Sequence, residues 1–137
     1  MRKVLALAFA AVLVAAACGG DDDEGTSGGT PPVSLPGTVS DHGTKDLGSA
    51  TKLELELDDT YFGPTYITAK AGTKVTIELE NEGKIAHTFT IDGTSVDEML
   101  DVGKKATIDL ELPASGSVNF YCRFHRDGGM QGAFVVA

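Results

Sequence analysis

The feature that most constrains this chain is an alternation, at a period of two, of aliphatic side chains with charged or hydroxyl ones. The run "KLELELDD" sets Leu53, Leu55 and Leu57 against Lys52, Glu54 and Glu56. "TKVTIELEN" does the same with Val75, Ile77 and Leu79, and "ATIDLELP" with Ile108, Leu110 and Leu112. Neighbouring side chains of an extended chain point to opposite faces, so each run reads as a strand with one dry face and one wet face. Shorter runs, "TYITA", "IAHTFTID", "GSVNFYC" and "GAFVVA", add further strands, and Gly, Pro, Asn and Asp punctuate the gaps. About six to eight short strands between residues 51 and 137, without a repeat of fixed period, predict an all-β fold, a small antiparallel β-sandwich. The one helix-friendly piece is "SVDEML", residues 95–100, expected to give a turn or two of helix. So small a core leaves a thin stability margin, which a ligand bound only by the folded form would widen.

The N-terminal segment has a different character. "MRK" is a small basic start, residues 4–17 are an unbroken apolar run, and Cys18 follows. The run is short for a membrane span and has the layout of a secretory signal. Ala15-Ala16-Ala17 before Cys18, with Gly19 after it, resemble a bacterial lipoprotein lipobox, Ala15 standing where Leu is usual. The resemblance implies a signal peptide over residues 1–17, cleavage before Cys18, lipidation of its thiol, and a protein anchored outside the cytoplasmic membrane. Residues 18–50 are rich in Gly, Ser, Thr, Pro and Asp and poor in large apolar side chains, so they read as a flexible tether in which His42 is solvated. The folded domain is expected to run from Thr51 to Ala137.

Charge and cysteine usage narrow the function. The formal net charge is −9, and loss of Arg2 and Lys3 with the leader makes it more negative still. Such a chain lacks the basic footprint of a nucleic-acid binder, and its membrane attachment would come from lipid rather than charge. With Cys18 committed to lipid, Cys122 is left as a single thiol in an oxidising compartment. A Cys18–Cys122 disulfide is the plain alternative; a bound metal is the better occupant.

The stretch "YCRFHRDGGMQG" supplies the rest of such a site. Cys122, His125 and Met130 stand as C-x2-H-x4-M in the connection between two predicted strands, where Gly128 and Gly129 let the backbone curl tightly. Three donors on one loop do not close a site, and His87, on a separate strand, is the candidate fourth. Thiolate and thioether are soft donors that suit copper, and a trigonal His2Cys set with a weak axial Met is the blue-copper arrangement of one-electron carriers. Zinc seldom recruits Met. No general base stands nearby, which argues against hydrolysis.

Residues 51–137 resemble the cupredoxins, most of all their plastocyanin and pseudoazurin branch, through "AHTF" around His87, "FYCRFH" around Cys122 and His125, and "GGMQGAFVV" around Met130. The resemblance implies a Greek-key sandwich with one type 1 copper at one end. His87, Cys122 and His125 would be equatorial ligands and Met130 the axial one, with the His125 imidazole at the surface as the electron's exit. Many members carry Asn after the first histidine; here Thr88 takes that place. Its backbone N–H can still reach the thiolate, its hydroxyl can stand in part for the amide, and such contacts tune a metal. Arg123 and Arg126 put positive charge beside the loop, where an acidic partner could dock. The expectation is therefore a monomeric, membrane-tethered electron carrier, not an enzyme, serving a redox protein such as a cytochrome, oxidase or reductase. Copper storage or delivery, and a metal-free interaction module, are the alternatives.

Overall fold

Each alternating run forms a strand with its aliphatic side chains turned inward, fully buried in the first two runs and half-buried at Ile108 and Leu110 of the third. The computed structural model describes residues 32–137, so the expected leader, Cys18 and the first part of the expected tether lie outside the described residues. The strands are β1 (Thr44–Asp46), β2 (Lys52–Asp58), β3 (Tyr61–Gly63), β4 (Tyr66–Ala69), β5 (Lys74–Asn81), β6 (His87–Thr90), β7 (Asp97–Leu100), β8 (Lys105–Glu111), β9 (Gly116–Tyr121) and β10 (Gln131–Val136). They build two sheets, one ordered β1-β4-β10-β9-β6-β7 and the other β3-β2-β5-β8. Leu53, Leu55, Leu57, Val75, Ile77 and Leu79 of the smaller sheet share one core with Phe89, Phe120 and Phe134 of the larger. The Phe62 ring stands edge-on to Phe120 at 5.1 Å and to Phe89 at 6.1 Å, an arrangement that aromatic quadrupoles favour.

Three expectations need correction. The sandwich is not purely antiparallel: β1 with β4, β4 with β10, and β2 with β5 are parallel pairs. After β2 the chain makes β3, crosses to the other sheet as β4, and returns as β5 beside β2, and such a crossover delivers the new strand in the same direction. The stretch "SVDEML" gives no helix. Its last four residues form β7, in register with β6 through His87↔Leu100 and Thr90↔Asp97. Six residues are too few to nucleate a stable helix, and pairing along the edge of β6 satisfies their backbone instead.

The third correction moves the domain boundary. Folded structure begins well before Thr51: Leu35 and Leu47 are buried, and β1 continues the larger sheet beyond β4. Val33, Leu35 and Val39 cluster with Tyr66 and Ala133. His42 is exposed, as expected, yet its ring stacks on Tyr61 with centroids 3.5 Å apart and its backbone N–H donates to Thr65 Oγ1 at 2.7 Å. The few aliphatic residues of this polar segment cover apolar surface at the β4–β10 side, which is enough to hold it down.

Candidate metal centre

The candidate donors meet at one end of the sandwich. His87 opens β6, Cys122 directly follows β9, and Met130 directly precedes β10, so strand ends hold three of them. Between Cys122 and Met130 the chain folds back on itself. Cys122 N–H donates to the Met130 carbonyl at 3.0 Å, and the Cys122 carbonyl accepts from His125 N–H at 3.2 Å. Met130 N–H in turn donates to the His125 carbonyl at 3.1 Å. Gly129 has φ +106°, and a Cβ there would lie 2.8 Å from Ser40 Oγ and 2.9 Å from Ser40 N, so the turn requires glycine on both counts.

Ligand atoms of His87, Cys122 and His125 all lie within 4.8 Å of one another. Cys122 Sγ is 3.9 Å from His87 Nδ1 and 3.5 Å from His125 Nδ1. An ion about 2.1 Å from each nitrogen and about 2.3 Å from sulfur would sit between donors so spaced. His87, Cys122 and Met130 are 0% exposed, while His125 is half-buried at the rim. The backbone of Met130 is tied to both Cys122 and His125, which keeps its thioether-bearing residue within the cluster's wall. Two imidazoles and a thiol so placed fit one type 1 copper ion. Burial holds the His87 imidazole below the ordinary histidine value, with His125 adding to the depression and Asp59 opposing it. The ring is therefore neutral at pH 7, as a metal ligand must be.

Thr88 sits behind the sulfur. Its N–H donates to Cys122 Sγ at 3.4 Å, and its hydroxyl oxygen accepts from Arg123 N–H at 2.8 Å. Thr90 Oγ1 lies 3.1 Å from Thr88 Oγ1 and 2.8 Å from Asp97 Oδ1, continuing the chain of polar contacts across β6 to β7. The two arginines are less free than the sequence suggests. Arg123 Nε pairs with Asp97 at 2.9 Å, and Arg126 reaches Asp92 at 3.4 Å while its guanidinium covers the Tyr121 ring. Tyr121 O–H also donates to Asp92. Phe124, between the two loop ligands, is 53% exposed and stands edge-on to His125.

One residue near the donors escapes sequence reasoning. Asp59, in the turn between β2 and β3, places Oδ1 3.5 Å from His87 Nε2. Nothing in "LDDTYFG" separates this aspartate from an ordinary turn residue. Its relevance arises only when that turn folds against the segment leading into β6.

A family sequence model described as the cupredoxin-like domain matches residues 38–136. The chain belongs to the cupredoxin-like family. The match takes in β1 and the Ser40 region, in keeping with the earlier start of the fold. No curated protein matches this cupredoxin by sequence. Among solved structures it is similar to a dithionite-reduced auracyanin from Roseiflexus castenholzii, at 21% identity and TM-score 0.58, over 66% of this chain and 99% of that one. Auracyanin A of Chloroflexus aurantiacus, a "blue" copper protein, is 18% identical with TM-score 0.52, over 63% and 99%. The metal-binding domain of a Cu(I)-exporting P-type ATPase from Streptococcus pneumoniae, with Cu(I), is 13% identical with TM-score 0.57, over 70% and 97%. Likeness at these identities shows the shared cupredoxin fold.

Proposed function

We propose that this cupredoxin is an electron carrier, with one type 1 copper held by His87, Cys122 and His125 as equatorial ligands and Met130 as the axial one. The observation that carries this reading is the convergence of ligand atoms from two imidazoles and one thiol within 4.8 Å, with His87 and Cys122 fully buried and His125 half-buried at the rim. Copper bound there supplies one-electron chemistry by cycling between Cu(I) and Cu(II). The chain's own part is to hold donors on strand ends and a hydrogen-bonded loop, so that both oxidation states meet nearly the same frame. Thr88 N–H directs a donor at the sulfur, and half-buried His125, with exposed Phe124 beside it, gives electrons a way to the surface. The protein is read as a monomeric carrier for a redox protein partner, not as an enzyme.

Lipidation of Cys18 would hold the carrier on the outer side of the cytoplasmic membrane, confined near membrane-bound partners, which raises the encounter rate. Arg123 and Arg126 flank the docking end, but their pairing with Asp97 and Asp92 weakens the positive field they offer an acidic partner. Copper delivery is the second reading, favoured by the fold shared with the Cu(I)-exporter domain. The full burial of His87, Cys122 and Met130 opposes it, since delivery needs ligands that exchange readily.

Absorption of the purified protein with Cu(II) tests the proposal. An intense thiolate-to-copper band, lost in Cys122→Ala, together with fast reversible voltammetry, is expected. A colourless protein, or one that takes only Cu(I) and exchanges it quickly, would sink the electron-carrier reading. Mass spectrometry of the mature chain, and release from the membrane fraction by Cys18→Ala, checks the anchor.

A further inference from the structure

The buried histidine of the metal centre has a second nitrogen that the donor cluster does not use. His87 Nδ1 is the atom on the side of Cys122 Sγ, which leaves Nε2 facing away from the cluster. Nε2 is itself buried, and among the described residues it is the buried side-chain nitrogen or oxygen that finds no hydrogen-bond partner. A buried N–H without an acceptor is costly, and native structures rarely keep one. Asp59 Oδ1 stands 3.5 Å from Nε2, a few tenths of an ångström beyond a good N–H···O distance.

Two features fix the carboxylate in that place. Asp59 Oδ1 accepts the backbone N–H of Lys84 at 2.8 Å, tying the β2–β3 turn to the segment before β6. Gly83 leaves the gap through which carboxylate and ring approach. A Cβ built there would lie 2.5 Å from Asp59 Oδ1 and 3.0 Å from His87 Nε2, so any larger residue would wedge them apart.

We propose that Asp59 is a positioning residue of the metal centre: its carboxylate accepts the Nε2–H of His87, which fixes the tautomer whose Nδ1 lone pair faces Cys122 and His125. A carboxylate behind an imidazole also raises the basicity of the ligating nitrogen. Asp59 therefore favours the more highly charged state of the metal, Cu(II) over Cu(I). The second consequence rests on the copper reading; the first does not.

The experiment has a metal-free arm and a copper arm. In the metal-free protein near neutral pH, nitrogen NMR of His87 is expected to show the proton on Nε2, and Asp59→Ala to give a mixture of tautomers. A proton on Nδ1 in the wild type, or a tautomer unmoved by Asp59→Ala, overturns the proposal. In the copper protein, Asp59→Asn keeps an acceptor for Lys84 N–H and for His87 but removes the charge, so it preserves the turn if Asp59→Ala does not fold. Loss of such a partner typically weakens metal binding about tenfold or more. The lost carboxylate charge weakens the hold on Cu(II) more than on Cu(I), so Asp59→Ala is expected to move the Cu(II)/Cu(I) balance towards Cu(I). Where the loss falls on Cu(II) alone the shift is about tenfold, a rise of about 59 mV for one electron. Asp59→Asn should move it less, in the same direction, and Gly83→Ala should reproduce the rise by displacing the carboxylate. Unchanged potentials in proteins that remain blue would overturn the role of Asp59 and leave the copper reading standing. A colourless wild type would sink the copper reading, with the tautomer deciding the fate of Asp59.

Discussion

The backbone N–H of Thr88 points at Cys122 Sγ across 3.4 Å, while the Thr88 hydroxyl accepts the N–H of Arg123 at 2.8 Å. One residue of β6 thus holds both the sulfur and the first peptide beyond it, and the two bonds can be separated by mutation. Thr88→Val keeps the first and removes the second. The variant also loses the contact of Thr90 Oγ1 and leaves the Arg123 N–H without its acceptor, so it is expected to lose about 1–3 kcal/mol of stability in urea unfolding. Its thiolate-to-copper band should persist, because the bond to sulfur comes from the main chain.

Copper should stabilise the fold by mass action. At a free copper concentration 100 times the dissociation constant, a ligand bound only by the folded state adds about 2.7 kcal/mol. With roughly 4–8 °C per kcal/mol for a domain of this size, calorimetry should show a rise of about 10 °C or more. A chelator should reverse it, and Cys122→Ala should abolish it.

Tyr61 and Asp58 set a pH limit at the opposite extreme from the histidines. The Tyr61 hydroxyl donates to Asp58 Oδ2 at 2.8 Å, and this bond, helped by burial, pushes the phenol up to about 12. The raised value means that the unfolded chain loses this proton first, near pH 10. The contribution of Tyr61 is therefore complete below pH 10 and declines as pH rises from 10 through about 12. Phenolate absorbance of the folded protein should show one tyrosine titrating near pH 12, and Tyr61→Phe should lose the corresponding alkaline slope of stability. The backbone N–H of Asp59 and, after it, the Tyr61 hydroxyl lower the Asp58 carboxyl, so its contribution is lost as pH falls below the ordinary aspartate value of 3.8.

A chain beginning at Thr51 should be much less stable than one beginning at Val33. It lacks β1, the buried Leu35 and Leu47, and the contacts of Ser40 and His42. Leu47→Ala alone should cost about 2–5 kcal/mol, as for other buried leucines, measured by denaturant unfolding of the full domain.

The alternating runs were legible because a half-buried strand writes its two faces directly into the order of residues, as in Leu53, Leu55 and Leu57. The loop donors were legible because Cys122, His125 and Met130 lie close together in sequence, and their chemistry asks for a fourth donor elsewhere. Three things were not legible, for related reasons. The strand at Asp97–Leu100 exists because β6 has an edge to cover, which no local propensity reports. The parallel pairing of β2 and β5 depends on a crossing between sheets that happens between them. Asp59 matters through Gly83 and His87, residues brought near it only by that packing.

Gln131, next to Met130, donates from its side-chain amide to the carbonyls of Pro36 and Thr38 at 2.7 and 2.6 Å, and Ser40 N–H donates to the Gly129 carbonyl at 2.9 Å. The chain arriving from the N-terminus is thus fastened to the end of the ligand loop before it enters β1. A pull on that chain is borne first by the packing of Leu35 and by these three bonds, ahead of either sheet. This N-terminal segment and the loop form one mechanical element, so tension on the segment is delivered to the residues that flank Met130.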